Sequence, residues 1–408
     1  MIKIDSIVTV GDADISKTYL QNYIGVKQGS LYNEAAATKI SARLKELPFI
    51  KFSKAPYIQF TDQSTKLYLF ADKKKASHFD GIIGILPNEE TKKTQLTGDV
   101  RLKLQNSVGH GELFDLNWRS LGKGTQDLKA NITYPFFFST PFGIDYKIKL
   151  YKKDTSFIDI NQNIGIQYLL KGNNYYKAFY KSRQSSLIST AGLKNITVLP
   201  PYADIKANTY GLEINLEKLD YRFNPRKGYT IITNVAAGNR TIIKNTKINP
   251  EVYDNLELKT TQYEIEFNGK LFIPLFQRST LLMRSQTAWL NNKSIFQNEL
   301  YRIGGIKTLR GFDEESINAS FYCIGGLEYR YLLEQNSYLY FFADGAYYEN
   351  LSTSFTGDRY DTPFGFGSGI SFETKAGIFG LTYALGSQKN NPVEFKNTKI
   401  HFGYVNYF

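Results

Sequence analysis

The chain has 408 residues, a formal net charge of +12 from 50 Lys and Arg against 38 Asp and Glu, and aromatic rings at 15% of its positions. One cysteine, Cys323, excludes a disulfide framework, and basic residues scattered singly among acids and aromatics argue against a nucleic-acid surface. At this length a small domain joined to a large single one is the expected layout. A mean hydropathy of −0.34, with no apolar run near the roughly 18 residues of a membrane helix, leaves a β-barrel open, since its lipid-facing and lumen positions average out.

Residues 1–75 have their own rhythm. Ile2 to Val10 alternates as a strand and runs into the Gly11-Asp12 turn. Tyr19, Leu20, Tyr23 and Ile24 recur at helical spacing behind Ser16, a candidate N-cap. Ala37, Ile40, Leu44 and Leu47 mark a second helix behind Asn33, stopped by Pro48. Strands near Pro56–Phe60 and Lys66–Phe70 complete a β-α-α-β-β unit. No signal peptide is visible from Met1 onward.

From His78 on, alternation with period two replaces helical spacing. Phe114, Leu116 and Trp118 alternate with Asp115, Asn117 and Arg119, and Ile144, Tyr146, Ile148 and Leu150 with Asp145, Lys147 and Lys149. The first such strand, Phe79–Leu86, carries Gly81 and Gly84 and stops at Pro87, which predicts a short strand offering few ladder hydrogen bonds to Ile400–Phe408. Short connections such as Lys171–Asn173 alternate with long ones such as Ser186–Asn208, Gly238–Leu258 and Glu349–Thr362. Aromatics crowd the strand ends at Tyr134, Phe136 to Phe138, Tyr338, Tyr340, Tyr347 and Tyr348, as a membrane girdle would. The chain ends mid-strand on an aromatic ring, with Ile400, Phe402, Tyr404 and Phe408 on one face. A soluble sandwich also alternates, but it would leave that apolar edge free to aggregate, whereas a barrel closes it against the first strand. The expected fold is mainly β: a transmembrane antiparallel barrel of about 16 strands over residues 76–408, preceded by one small α+β domain.

The candidate site lies in this barrel. Asp344 shares a strand face with Tyr340 and Phe342, opposite Leu339, Phe341 and Ala343. If Leu339 and Phe341 meet lipid, Asp344 points into the lumen. Phe364, Phe366, Ile370 and Phe372 likewise put Gly365, Gly367 and Gly369 inward, a row expected to clear a groove for another backbone. The loop near 298–317 carries Leu309-Arg310-Gly311-Phe312. Folded back inside, it would let Arg310 donate to Asp344 in a charge-assisted pair, with Glu328 a second acceptor. A solvated hairpin loop is the bland alternative. Glu264 and Glu266, facing Arg284 and Lys270, read as a structural ion lattice and not as a catalytic pair. His78, His110 and His401 lack metal-ligand spacing, and no phosphate loop or nucleophile elbow is present. Neither an enzyme, a metal site nor a cofactor is expected.

Leu309-Arg310-Gly311-Phe312 resembles the Val-Arg-Gly-Phe/Tyr signature of the outer-membrane protein insertase and two-partner secretion transporter superfamily, that of BamA and TamA. Tyr340–Gly345 is similar to that family's aromatic-x-Asp-x-Gly strand, Gly365–Gly369 to its glycine-rich strand, and Asp220–Gly228 to an earlier turn motif. The 1–75 unit resembles a POTRA domain, whose implied use is to add an incoming strand to a sheet edge. The resemblance implies a barrel in the bacterial outer membrane with the POTRA unit in the periplasm. It also implies a factor that assembles or inserts barrel proteins without nucleotide. The working part would be a lateral seam between the first strand (Gly81, Ile82, Gly84, Ile85) and the last (Ile400, Phe402, Tyr404, Phe408). Implied partners are unfolded outer-membrane protein clients, outer-membrane lipid, and accessory periplasmic proteins or lipoproteins, with no nucleic acid. Two rivals stand beside it: a two-partner secretion transporter, which usually carries two POTRA domains and a plug helix not visible here, and a passive surface pore.

Overall fold

A computed structural model describes residues 2–87, 94–122, 124–194, 196–198, 200–221, 224–374, 377–389 and 391–405. The N-terminal module comprises β1 (Ser6–Val10), α1 (Lys17–Ile24), α2 (Glu34–Lys45), β2 (Ile50–Phe52), β3 (Tyr57–Phe60) and β4 (Thr65–Lys73). The central strand β4 pairs β1 in parallel and both β2 and β3 antiparallel. The three-residue β2 was not anticipated, because its register is set by β4 and not by its own pattern. Both helices start on side-chain caps. Ser16 Oγ accepts from Tyr19 N at 3.1 Å and Asn33 Oδ1 from Ala36 N at 3.0 Å, satisfying amides that the first turn leaves orphaned. Tyr19, Leu20, Tyr23 and Ile24 of α1 and Ile40 and Leu44 of α2 form one buried core with Leu67, Leu69 and Ala71 of β4. Ser16→Ala is expected to lower the local opening free energy of α1 by about 1 kcal/mol, read by amide exchange in the intact chain.

The large sheet begins at β5 (His78–Pro87) and continues through β6 (Thr94–Gln105), β7 (Leu113–Gly122), β8 (Thr125–Tyr134), β9 (Phe142–Lys153) and β10 (Phe157–Leu169). Next come β11 (Tyr175–Leu187), β12 (Ile205–Leu219), β13 (Gly228–Ile242), β14 (Lys259–Phe276) and β15 (Ser279–Asn291). The short β16 (Tyr301–Ile303) and β17 (Ile317–Ala319) pair only with each other. The sheet resumes with β18 (Phe321–Leu332), β19 (Tyr338–Glu349), β20 (Tyr360–Asp361), β21 (Phe364–Thr374), β22 (Gly377–Ser387) and β23 (Lys399–Val405). Consecutive strands pair antiparallel, and the order is cyclic, with β23 next to β5. β20 and β21 oppose β19 in one register, Tyr348 facing Asp361 and Gly345 facing Phe364, so they are one strand interrupted at Thr362-Pro363. Counted so, the ring has about 16 strands among the described residues.

β5 runs from His78 to Pro87, two residues longer than its pattern, and is laddered to β6 throughout, while among the described residues its contact with β23 covers a far shorter stretch. Several strands also outrun their patterns; β13 continues past Gly238 to Ile242 and β14 reaches 18 residues. Pairing with neighbours carries a strand beyond the point where alternation fades.

Alternation sorts the faces. On β19, Leu339 and Phe341 are exposed on the outer face, while Phe342 and Asp344 are buried inside. Three turns on the module side are short (170–174, 277–278, 333–337), and long connections lie on the far side (188–204, 243–258). The far-side loops pack Ile248, Tyr253 and Phe296 against Ile205 and Ile242. The module docks on the opposite rim, where Ser16 N donates to Gly109 O at 2.7 Å and Asn106 Nδ2 to Asp14 O at 2.8 Å.

Candidate functional site

Between β15 and β18 the chain leaves the wall, and its contacts establish where it goes. Glu315 accepts from Arg119 of β7 at 2.7 Å, and the Arg302 guanidinium lies 3.9 Å from the Tyr151 ring of β9. Asp313 pairs with Lys399 of β23 at 2.6 Å, and Arg310 reaches Asp344 of β19. One loop can touch strands all round the ring only by crossing its interior.

The tip is held by a chain of ions. Arg310 donates through Nε to Asp344 Oδ2 at 2.7 Å and through Nη2 to Oδ1 at 2.8 Å, and its Nη1 donates to Glu328 Oε2. Its guanidinium carbon sits 3.6 Å from the centre of the Phe342 ring, a desolvated cation–π contact. Asp344 has a second partner: Arg284 Nη2 donates to Oδ2 at 2.6 Å and also to the Thr308 carbonyl at 2.7 Å. On the other side, Arg330 donates to Glu328 Oε1 at 2.8 Å and to Asn224 Oδ1 at 3.0 Å. Asn224 belongs to the Asp220–Gly228 turn, so that motif is wired to the loop tip through Arg330 and Glu328. Arg310, Asp344 and Glu328 are all buried, and such charges persist only where nearly every lone pair and proton is used. Leu309, with no exposed surface, and Phe312 pack on Ile303, Ile317 and Ile324 beneath the tip. Gly311 has φ +95°, and a Cβ there would strike the Leu385 carbonyl of β22.

The glycine row behaves differently from expectation. A Cβ on Gly365 would collide with the Arg310 carbonyl, so here the loop backbone does touch the wall. At Gly367 a Cβ would first strike the Tyr383 carbonyl of β22 and then the Phe342 ring, and at Gly369 the Tyr340 ring and the Leu381 carbonyl. The loop backbone therefore reaches one glycine of the row on β21, while the neighbouring strand and two aromatics occupy the rest. Its other half is Gly386 of β22, where a Cβ would lie 2.6 Å from the Gly311 carbonyl. The Glu264–Glu266 expectation also needs correction. Glu264 pairs with Lys181 at 2.5 Å, Glu266 accepts from Asn234 at 3.2 Å, and Arg284 is committed to Asp344.

A second anchor escaped sequence reasoning. Arg240 of β13, fully buried, donates to Glu299 at 3.0 and 2.7 Å. Arg183 of β11 chelates Asp159 with two 2.9 Å bonds and donates to the Glu299 carbonyl at 3.0 Å. Asn298 bonds Ser185 and the Ala203 carbonyl. The inward parity of Arg240 and Arg183 was the available signal, but nothing local named their partner.

At the seam, Ile400 and Phe402 of β23 are exposed on the outer face. Gly81, Ile82, Gly84 and Ile85 lie in β5 opposite Val100, Asp99, Thr97 and Leu96. The side chains of Ile82, Ile85 and Tyr404, and all of Phe408, fall outside the described residues. A cavity of 780 Å³ lies below the loop, reached by Lys307 from above and by Asp80 and Arg101 from the wall. Gly81 and Phe402 also line it, although strand parity turns both outward. Ala130 and Ile148, outward by the same parity, line it too where β8 and β9 are fully paired, so the cavity lies along the inner wall past the seam strands. Asp80 and Arg101 also border a separate cavity at the module-side mouth.

A cyclic antiparallel sheet whose interior is crossed and tied by its own loop defines a β-barrel plugged from within. Residues 106–408 match the Omp85 superfamily domain, and the chain belongs to the Omp85 superfamily. No curated protein matches it in sequence. Among solved structures it is similar to BamA from Haemophilus ducreyi lacking POTRA domains 1–3, at 15% identity and TM-score 0.56, covering 100% of this chain and 85% of that one. CdiB from Acinetobacter baumannii matches at 13% identity and TM-score 0.61, covering 100% and 74%. CdiB from Escherichia coli matches at 13% and 0.62, covering 100% and 76%. These likenesses are of fold.

Proposed function

We propose that this protein sits in the bacterial outer membrane, with its POTRA-like module in the periplasm, and assembles or inserts β-barrel clients through a lateral opening between β5 and β23. The observation that carries this reading is the seam itself: β5 is laddered to β6 along its whole length, yet among the described residues it meets β23 over a far shorter stretch than other long neighbouring strands share. A sparsely paired seam gives an unfolded chain two strand edges to pair with. An unpaired edge templates an incoming strand. Lipid then drives completion, because backbone groups in hydrocarbon must pair and apolar side chains gain by burial. The reading needs no nucleotide, cofactor or catalytic group. Its partners are unfolded barrel proteins and outer-membrane lipid, with accessory periplasmic proteins or lipoproteins delivering the clients.

The test is a reducible bifunctional crosslink between Phe79→Cys on β5 and Phe402→Cys on β23, in a Cys323→Ser background. Client insertion into vesicles is expected to stop when the bridge forms and to resume when it is reduced. Insertion that continues through the bridged state contradicts the lateral route. Export of a polypeptide across the bilayer in the bridged state supports the transporter reading instead.

A further inference from the structure

The β8–β9 turn, Tyr134-Pro-Phe-Phe-Phe-Ser-Thr-Pro-Phe142, places three consecutive aromatic rings on the module-side rim. Phe136, Phe138 and Ser139 have φ of 53°, 50° and 62°, a left-handed conformation that bulky residues rarely adopt. Such strain persists where the surroundings enforce it, and here it divides the rings. Phe136 is buried in the module core, edge-on to Tyr19 at 5.4 Å. Phe137 and Phe138 lie 4.1 Å apart on the other side, their rings tilted by 49°, and Phe138 is 84% exposed. Relaxing the turn would let those rings fold back on the sheet; the left-handed residues hold them out.

Two observations identify what they meet. The outward residues leading to the turn, Ile132 and Tyr134 on β8 and Phe142 on β9, with Tyr168 on β10 5.5 Å from Phe142, make one apolar surface continuous with the outer band of the barrel. The turn also pairs part of its backbone. Ser139 N donates to Phe136 O at 3.0 Å, Thr140 N and Oγ1 donate to Phe137 O, and Leu169 N donates to Pro141 O at 2.7 Å. Pro135 and Pro141 carry no amide hydrogen. The amides of Phe136, Phe137 and Phe138 donate to none of these acceptors, so the segment suits the hydrated headgroup boundary, where aromatic rings collect, and not the hydrocarbon interior.

We propose that this turn is a membrane hook. Phe137 and Phe138 lie in the boundary between headgroups and acyl chains of the module-side leaflet. Through Phe136, which is rooted in the module core, the hook fixes the module against the bilayer surface. The proposal rests on the reading of the sheet as a membrane barrel.

The experiment uses the full chain in phosphatidylcholine vesicles and two sets of tryptophans. In the wild type, Trp118 faces outward at mid-wall opposite Leu128, and Trp289 faces outward opposite Ile265 near the far-side end of β15, so lipids brominated at successive depths along their acyl chains should quench them. That arm tests the barrel reading alone. The second arm combines Trp118→Phe, Trp289→Phe and Phe138→Trp. Its emission is expected to be blue-shifted, strongly quenched by lipid brominated near the headgroup, and insensitive to aqueous iodide. Iodide quenching with no lipid quenching would overturn the hook while leaving the barrel intact. Protection from both quenchers would also overturn it, since a protein surface would then cover the ring.

Discussion

Asp344→Ala is expected to destabilise the folded barrel by about 3–5 kcal/mol and to do more damage than Arg310→Ala. The asymmetry follows from how partners are shared. Removing Arg310 leaves Asp344 with Arg284 and Glu328 with Arg330, so each buried carboxylate keeps one cation. Removing Asp344 takes the shared acceptor from Arg284 and Arg310 together, and leaves Glu328 as the sole carboxylate beside Arg310. Urea unfolding in detergent, followed by tryptophan emission, gives the two values. Gly365→Ala separates shape from charge, because its methyl would strike the Arg310 carbonyl with every ionisable group intact. That variant should also lose stability, with a loop that becomes protease-sensitive. An Asp344→Ala barrel as stable as the wild type, or less impaired than Arg310→Ala, would remove the lock from the account.

What the sequence made legible, and what it hid, divides along physical lines. Local signals were readable: Ser16 and Asn33 as caps, the helix stripes over Leu20 and Leu44, and the face on which Leu339 and Phe341 sit opposite Asp344. Each depends on a few consecutive residues. Partners across the lumen were not readable. Arg119 and Glu315 are 196 positions apart, and the residue that completes the seat of Gly311 is Gly386, on a strand whose alternation says nothing about the loop. Arg284 illustrates the same limit. Its inward parity was clear, but an inward arginine can reach any acid on several strands, and the Glu264–Glu266 choice was wrong for that reason. The glycine row misled differently. An inward glycine shows that something comes close, without saying whether it is the loop backbone, as at Gly365, the next strand's carbonyl, as at Gly367, or a neighbour's ring, as at Gly369.

The second anchor supplies a sharper test, because its parts can be removed singly or together. Glu299→Ala leaves Arg240, with no exposed surface, without its carboxylate beneath the far-side loops, and should destabilise by about 3–5 kcal/mol. The loss should appear first as faster amide exchange around Ala203 and Asn298, which hydrogen-bond each other beside the pair. Arg240→Met with Glu299→Leu behaves differently if the pair serves mainly to satisfy itself. Both charges and their desolvation costs vanish together, and the apolar replacements pack against Phe296, over whose ring the guanidinium now lies at 5.4 Å. That double variant should recover most of the stability lost in Glu299→Ala. One complication is built into the geometry. Glu299 also accepts from the Phe296 amide at 2.9 Å, so Leu there orphans one buried donor. Recovery should therefore fall short of the wild type by about 1–3 kcal/mol. A double variant no more stable than Glu299→Ala would mean that the ion pair holds the loop in place through its directionality, and that charge compensation is the lesser part of its work.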